Sequence, residues 1–267
     1  MAKKILFIHQ EIAPFVPETE MSLLGRQLPQ ALQESGHEIR TFMPKWGNVN
    51  ERRGQLHEVI RLSGMNLIIN ETDHPLIIKV ASVPNTRVQV YFIDNDEYFN
   101  SWQPQTDTKA TDQVDNGERV VFFARGVLET VKKLRWMPDV ILCQGWMSSL
   151  VPFYVKTAYR EEPSFKNVKV ITALWSKGPK RDMGKNFKQN VEFKSAKASL
   201  LKAYKDKFTS EDLGRLAIDY SDALVDAPEG LSEKLVAYAE ETGLPMLPYT
   251  AEGDLGQVYD TFCEGLF

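Results

Sequence analysis

Cysteine and histidine are scarce in this sequence, which has only Cys143, Cys263, His9, His37, His57 and His74 among 267 residues. Two cysteines outside any C-x-x-C pair exclude a disulfide scaffold. Four histidines without metal-ligand spacing read as structural, so no metal site is expected. Cys143 falls in an apolar stretch and reads as an inert small hydrophobe. No apolar run approaches the roughly 18 residues that a membrane span requires. The first such run, Ile5 to Ile8, is too short for a signal-peptide core. A soluble, cytoplasmic protein with no membrane partner is the expectation. Charge of one sign is also lacking: the formal net charge is −4, which gives no global attraction to nucleic acid.

What remains is ordinary globular material, since 43% hydrophobic and 25% charged residues exclude disordered, collagenous and fibrous classes. The length allows one large domain or two small ones, and the pattern reads as a single domain over residues 1–267. Ile5 to His9 is β-rich. Leu23, Leu24, Leu28, Ala31 and Leu32 then recur at helical spacing until Gly36, and Glu38 to Met43 resumes as a strand ended by Pro44. That is a βαβ unit, which requires a parallel sheet. Short runs at Leu56–Ile60, Leu67–Ile69, Leu76–Val80 and Val88–Ile93, punctuated by Gly64, Pro75 and Pro84-Asn85, predict hairpins plus one inner strand. A helix starts at Asn116 and carries the stripe Val120, Phe123, Val127, Val131. Strands follow at Asp139–Cys143 and Lys169–Trp175, then a helix and strand within 213–226. Leu255, Val258, Tyr259, Phe262 and Leu266 predict an amphipathic helix over 254–267 that packs back on the domain. The fold class is α/β: a Rossmann-like, doubly wound, mostly parallel sheet with helices on both faces.

In such sheets ligands meet the carboxyl ends of the strands. The candidates there are Gln10 and Glu11 after the first strand, Gly145 and Trp146 after the strand at 139–143, and Asn116 at the start of its helix. The loop from Gln10 to Ser22 has no glycine and carries Glu11, Glu18 and Glu20, so it would repel a pyrophosphate. Ser22 is placed to cap the following helix. Tyr98, Phe99 and Trp102 interrupt a polar stretch, either as anchors to the core or as part of a loop over a cleft. Residues 176–207 hold ten cations against three acids. This basic loop/helix insertion reads as a solvated face, with an anionic partner as the alternative.

Glu11-Ile12-Ala13-Pro14-Phe15, Gly36-His37-Glu38-Ile39-Arg40, Met43-Pro44-Lys45, Asp115-Asn116-Gly117-Glu118-Arg119 and Pro138-Asp139-Val140-Ile141 together resemble the glycogen and starch synthase family. The resemblance implies the amino-terminal domain of a two-domain glycosyltransferase, whose second nucleotide-binding domain would complete the site. It also implies a Lys-Thr-Gly-Gly-Leu donor motif, but Pro17-Glu18-Thr19-Glu20-Met21 stands there. The family's aspartate beyond that motif falls on Leu23, its active-centre aspartate on Gly145 and its histidine on Leu174. The second domain is expected to be missing, since the chain ends about forty residues after the strand at 223–226. No catalytic residue and no cofactor are therefore expected. The expected function is a non-catalytic binding or regulatory module for a sugar, glycan, nucleotide sugar or protein partner. Two alternatives stand beside it: a glucosyltransferase working from ADP- or UDP-glucose, completed by a partner chain, and an anion or nucleic-acid binder using the basic segment.

Overall fold

The computed structural model describes residues 2–100, 115–175, 178–226, 231–250 and 253–267. Trp102, Ser176, Lys177 and the turn at 227–230 lie outside the described residues. In chain order the elements are β1 (Lys4–His9), α1 (Glu20–Glu34), β2 (Glu38–Pro44), α2 (Glu51–Gly54), β3 (His57–Glu58), β4 (Met65–Ile69), β5 (Thr72–Ser82) and β6 (Gln89–Asp94). Then come α3 (Asp96–Phe99), α4 (Asn116–Leu134), β7 (Val140–Gln144), α5 (Leu150–Lys156), β8 (Lys169–Ala173), α6 (Phe187–Asn190), α7 (Ser210–Asp219), β9 (Ala223–Val225), α8 (Glu233–Thr242), β10 (Met246–Leu247) and α9 (Leu255–Glu264).

The strands lie in the order β10-β9-β8-β7-β1-β2-β6-β5-β3, and β4 also pairs with β5, off this path. From β10 to β6 every pairing is parallel, while β5 runs antiparallel to β6 and takes β3 and β4 as antiparallel partners. The chain moves outward from β1 to β2 and β6, then returns to β1's other side as β7. The strand order thus reverses between β1 and β7, the position at which open α/β sheets offer a crevice.

Alternation along β1 shows why both faces are covered. Ile5 and Phe7 join Leu24, Leu28 and Leu32 of α1 and Leu255, Tyr259 and Cys263 of α9. Leu6 and Ile8 point the other way, into a cluster with Val120, Phe123 and Val127 of α4 and Val151 of α5. Each fully buried side chain of this size contributes about 2 kcal/mol of transfer free energy. The amphipathic helix at the carboxyl end forms and packs against α1 as its spacing predicts.

Three local expectations are corrected. Thr19, not Ser22, is the cap of α1. Its Oγ1 accepts from Ser22 N at 3.0 Å, while Thr19 N donates to Ser22 Oγ at 2.8 Å, a reciprocal box in which Ser22 is the inner member. Pro75 does not break its strand: β5 continues through it, opposite Asn66, and the Pro75 carbonyl accepts from Asn95 Nδ2 at 3.0 Å. A short strand and a helix near the carboxyl end, β10 and α8, were not foreseen, although Ser232 caps α8 by accepting from Leu235 N and Gly243 ends it with φ +64°. The basic segment keeps its lysines outward but buries Met183, Phe187, Val191, Ala196 and Leu201. Gly117 marks how closely it approaches α4, because a Cβ there would sit 2.1 Å from Met183 O.

Candidate functional site

Parallel pairing brings the last residues of β1 and β7 side by side, with His9 opposite Gln144 and Gln10 N donating to Gln144 O at 3.1 Å. His9 is fully buried and its Nδ1 lies 2.5 Å from Gln144 Oε1. The amide oxygen accepts, so Nδ1 carries the proton and Nε2 presents its lone pair to the interior, where no described residue meets it. Burial holds the imidazole pKa down at about 4, against the Gln144 bond, which favours the charged form. At neutral pH this histidine is uncharged and a weak base. Phe7 stacks on it with 5.4 Å between centroids.

Gln10 and Glu11 follow. The Gln10 carbonyl accepts from Trp46 Nε1 at 2.7 Å. Its side-chain Nε2 donates to Glu11 Oε1 at 3.2 Å, and the other Glu11 oxygen accepts from Thr19 Oγ1 at 2.8 Å. Glu11 thus holds the cap of α1 in place.

Gly145 explains why the end of β7 can close on β1. Its φ is +84°, and a Cβ built on it would lie 2.7 Å from Gln10 Cβ and 2.9 Å from Gln10 Oε1. A side chain at this position would be strained and would collide with Gln10. Trp146 is buried directly beyond it, and Ser148 Oγ donates to Gly145 O at 2.8 Å.

The structure therefore brings Gln10, Glu11, Gly145 and Trp146 together at the β1–β7 ends. Asn116 is also buried, but it opens α4 beside Gly117, where the chain packs on Met183 and Phe187 of the basic segment. The His9–Gln144 pair belongs to the site and was not singled out in the sequence. The signal was available: both residues close strands of a predicted parallel pair, and polar residues at such ends meet each other.

Chemically the constellation is closed on itself: Gln144 is bonded to His9, and Glu11 to Gln10 and Thr19, while His9 Nε2 and Gln10 Oε1 meet no donor or acceptor among the described residues. Gln10, Glu11 and Gln144 are all buried. Lys45, just beyond β2, is engaged by Glu51 at 3.2 Å, which also accepts from Lys79 at 2.7 Å. Lys79 in turn reaches Asp94 at 2.9 Å. Burial raises the pKa of Asp94, and Lys79 opposes that rise. Leu174, beyond β8, is buried among Ile218, Leu224, Leu235 and Ala239. Cys143 lies in the core, where burial raises its thiol pKa well above the usual range. Among the described residues no group of three His, Cys, Asp or Glu could hold a metal ion, and no helix is long and apolar enough to cross a membrane.

Comparison with known proteins places this arrangement. The model of the starch synthase catalytic domain matches residues 4–241. Glycogen synthase of Chlorobium luteolum is 39% identical over 172 residues, which are 64% of this chain and 35% of that protein. Glycogen synthase of Chlorobium phaeovibrioides is 40% identical with the same coverage. The chain thus spans about a third of the length of the curated relatives it matches. Among solved structures, the catalytic domain of Starch Synthase IV from Arabidopsis thaliana, bound to ADP and acarbose, superposes with a TM-score of 0.71 at 15% identity. That match covers 95% of this chain and 52% of the plant enzyme, and it carries the mostly parallel α/β fold. With a family model covering nearly its whole length, the chain belongs to the starch synthase catalytic domain family.

Proposed function

We infer that this chain is a glucan- or nucleotide-sugar-binding member of the family that does not itself transfer glucose, organised as one amino-terminal-type domain. The observation that carries the reading is the closure at Gly145. Where the family resemblance puts an active-centre aspartate, the backbone has a positive φ and the Gln10 side chain fills the space. The other matched positions agree. Leu174 replaces a histidine and is buried among aliphatic side chains. Pro17 replaces the donor lysine and is exposed. Transfer from a nucleotide sugar develops negative charge on the leaving diphosphate, and each preorganised donor facing it is typically worth about 3 kcal/mol of barrier. With the lysine, both aspartates and the histidine all replaced, the strand ends retain backbone shape without the groups that stabilise that charge.

The test is incorporation of labelled glucose from ADP-glucose or UDP-glucose into glycogen by the purified chain, with a full-length synthase as positive control. The expected result is no transfer above blank, together with retention of the chain on a glycogen column or quenching of its tryptophan fluorescence by ADP or acarbose. Those two probes are chosen because the plant relative was solved with them. Transfer that co-purifies with the chain, or that emerges on adding a separate second domain, would establish the glucosyltransferase reading instead.

A further inference from the structure

The other end of the parallel sheet is built differently. A cleft of about 540 Å³ opens where β2 and β6 begin, lined by Glu38, Arg40, Arg61, Arg87, Tyr91 and Lys133 among others. Four cations face one carboxylate, and among the described residues none of the four is in an ion pair. Glu38 is occupied elsewhere: its Oε1 accepts from Trp136 Nε1 at 2.6 Å, and Oε2 lies 4.0 Å from Lys4 Nζ. Like charges gathered without a counter-ion raise the free energy of the fold until an anion enters.

Arg40 is held ready for one. Its guanidinium lies over the rings of Trp136 and Tyr91, 5.1 and 5.8 Å from their centroids, and one terminal nitrogen donates to Tyr91 Oη at 2.6 Å. Its Nε is buried and meets no protein acceptor. Tyr91 is only 7% exposed. Its hydroxyl oxygen accepts from Arg40, which leaves its proton available to donate, and no described residue receives it. Arg61 and Arg87 stand at the exposed rim, the latter on a turn tied to α1 by Gln33 Nε2 donating to Arg87 O at 3.4 Å. Lys133 sits in the last turn of α4, where a cation is favoured by the helix dipole alone. Arg61 and Arg87 have no such explanation.

We propose that this cleft is a binding site for a small molecule carrying at least two phosphate groups. Planar guanidinium forks match phosphate oxygens in pairs, the Tyr91 hydroxyl adds a neutral donor, and the volume is that of a small-ligand site. The site lies at the opposite end of the strands from Gln10 and Gly145 and requires no glucose transfer. Its success or failure is therefore separate from the function proposed above.

The experiment is isothermal titration of the full chain with sodium pyrophosphate at low ionic strength. Three variants accompany the wild type: Arg61→Glu/Arg87→Glu at the rim, Tyr91→Phe inside, and Lys185→Glu/Lys207→Glu in the basic segment, which changes net charge by the same amount elsewhere. The wild type should bind one equivalent saturably. The rim variant should lose about tenfold or more in affinity, Tyr91→Phe should lose about threefold, and the distant control should stay within about twofold. Absence of saturable heat at about 10 mM pyrophosphate would overturn the proposal. So would equal weakening by the distant control, which would mean attraction by net charge alone. Tighter binding of an RNA oligonucleotide that depends on the same arginines would also overturn it, as a nucleic-acid surface rather than a small-molecule site.

Discussion

At the carboxyl ends of β1 and β7, Gln10, Glu11 and Gln144 are withdrawn from solvent and bonded to one another, to His9 or to the cap of α1. At the amino ends of β2 and β6, Arg61, Arg87 and Lys133 reach solvent around a cleft where, among the described residues, none of them is in an ion pair. One sheet thus carries a buried, internally bonded end where the family resemblance locates chemistry, and an open, cationic end where it locates none. Inheriting a fold fixes where strand ends lie, whereas the side chains decide whether an end is a site.

The sharpest way to break this contrast is to restore the acid at the buried end. Gly145→Asp must place a Cβ at φ +84° and within 2.7 Å of Gln10 Cβ, and must bury a carboxylate beside Gln10. Urea unfolding should show a loss of about 4 kcal/mol. Adding Gln10→Gly should recover about 1 kcal/mol of it by removing both the Cβ and the amide oxygen that the new side chain meets, while leaving the strain at position 145. Wild-type stability with new transferase activity would mean that the end opens readily, and the comparison would fail.

A smaller effect follows from His9. Burial takes its pKa from 6.5 to about 4. The unfolded chain binds a proton below pH 6.5 that the folded chain refuses until about pH 4. Stability is therefore complete above 6.5 and falls as pH drops through that window, by about 3 kcal/mol in all. Subtracting the pH dependence of a His9→Gln variant from that of the wild type isolates this contribution. Equal slopes would show that the imidazole reaches solvent and that the end is not buried.

Thr19→Ala comes next. It removes the cap of α1 and also the donor that Glu11 accepts from, leaving a buried carboxylate oxygen without that bond. A cap is worth about 1 kcal/mol and the lost hydrogen bond to the buried carboxylate about as much again, so denaturation should report a loss of about 2 kcal/mol. Thr19→Ser, which keeps the hydroxyl, should lose less than half of that.

The two ends also differ in how far they could be read from sequence. α1, α4 and α9 were legible from helical spacing, and β1, β2 and β7 as short apolar runs covered on both faces, with Ile5 and Phe7 on one face of β1 and Leu6 and Ile8 on the other. That Gln10, Glu11, Gly145 and Trp146 lie at neighbouring strand ends was legible because topology places strand ends together. The partners that close the site, Gln10 on Gly145 and Glu11 on Thr19, depend on side-chain direction and were not. Pro75 misled because a proline stops a strand only where its N–H is needed. The cationic cleft was hidden for a simpler reason: Arg40, Arg61, Arg87 and Lys133 are spread over more than ninety positions of sequence. In the conspicuous basic run at 176–207, Lys188 pairs with Asp206 at 3.0 Å, and Lys194 pairs with Glu162 at 2.8 Å while lying over the Tyr159 and Phe193 rings, so part of that charge is already engaged.

The smallest effect tests the open end by its cost to the fold. If Arg61, Arg87 and Lys133 repel one another across the cleft, Arg61→Gln should stabilise the protein by a few tenths of a kcal/mol at low salt. Those groups are exposed, so the gain should vanish at about 0.5 M sodium chloride, where the screening length shrinks to about 4 Å. Pyrophosphate should then reverse the order of the two proteins. A ligand that binds only the folded state adds RT ln(1 + [L]/Kd), so at a concentration tenfold above its dissociation constant it should stabilise the wild type by about 1.4 kcal/mol and the variant by less. A crossing of the two melting curves with added anion, at constant ionic strength, identifies the repulsion as one that a bound ligand relieves. Parallel curves would mean that the arginines are held apart by solvent and that the open end, like the buried one, is complete without a ligand.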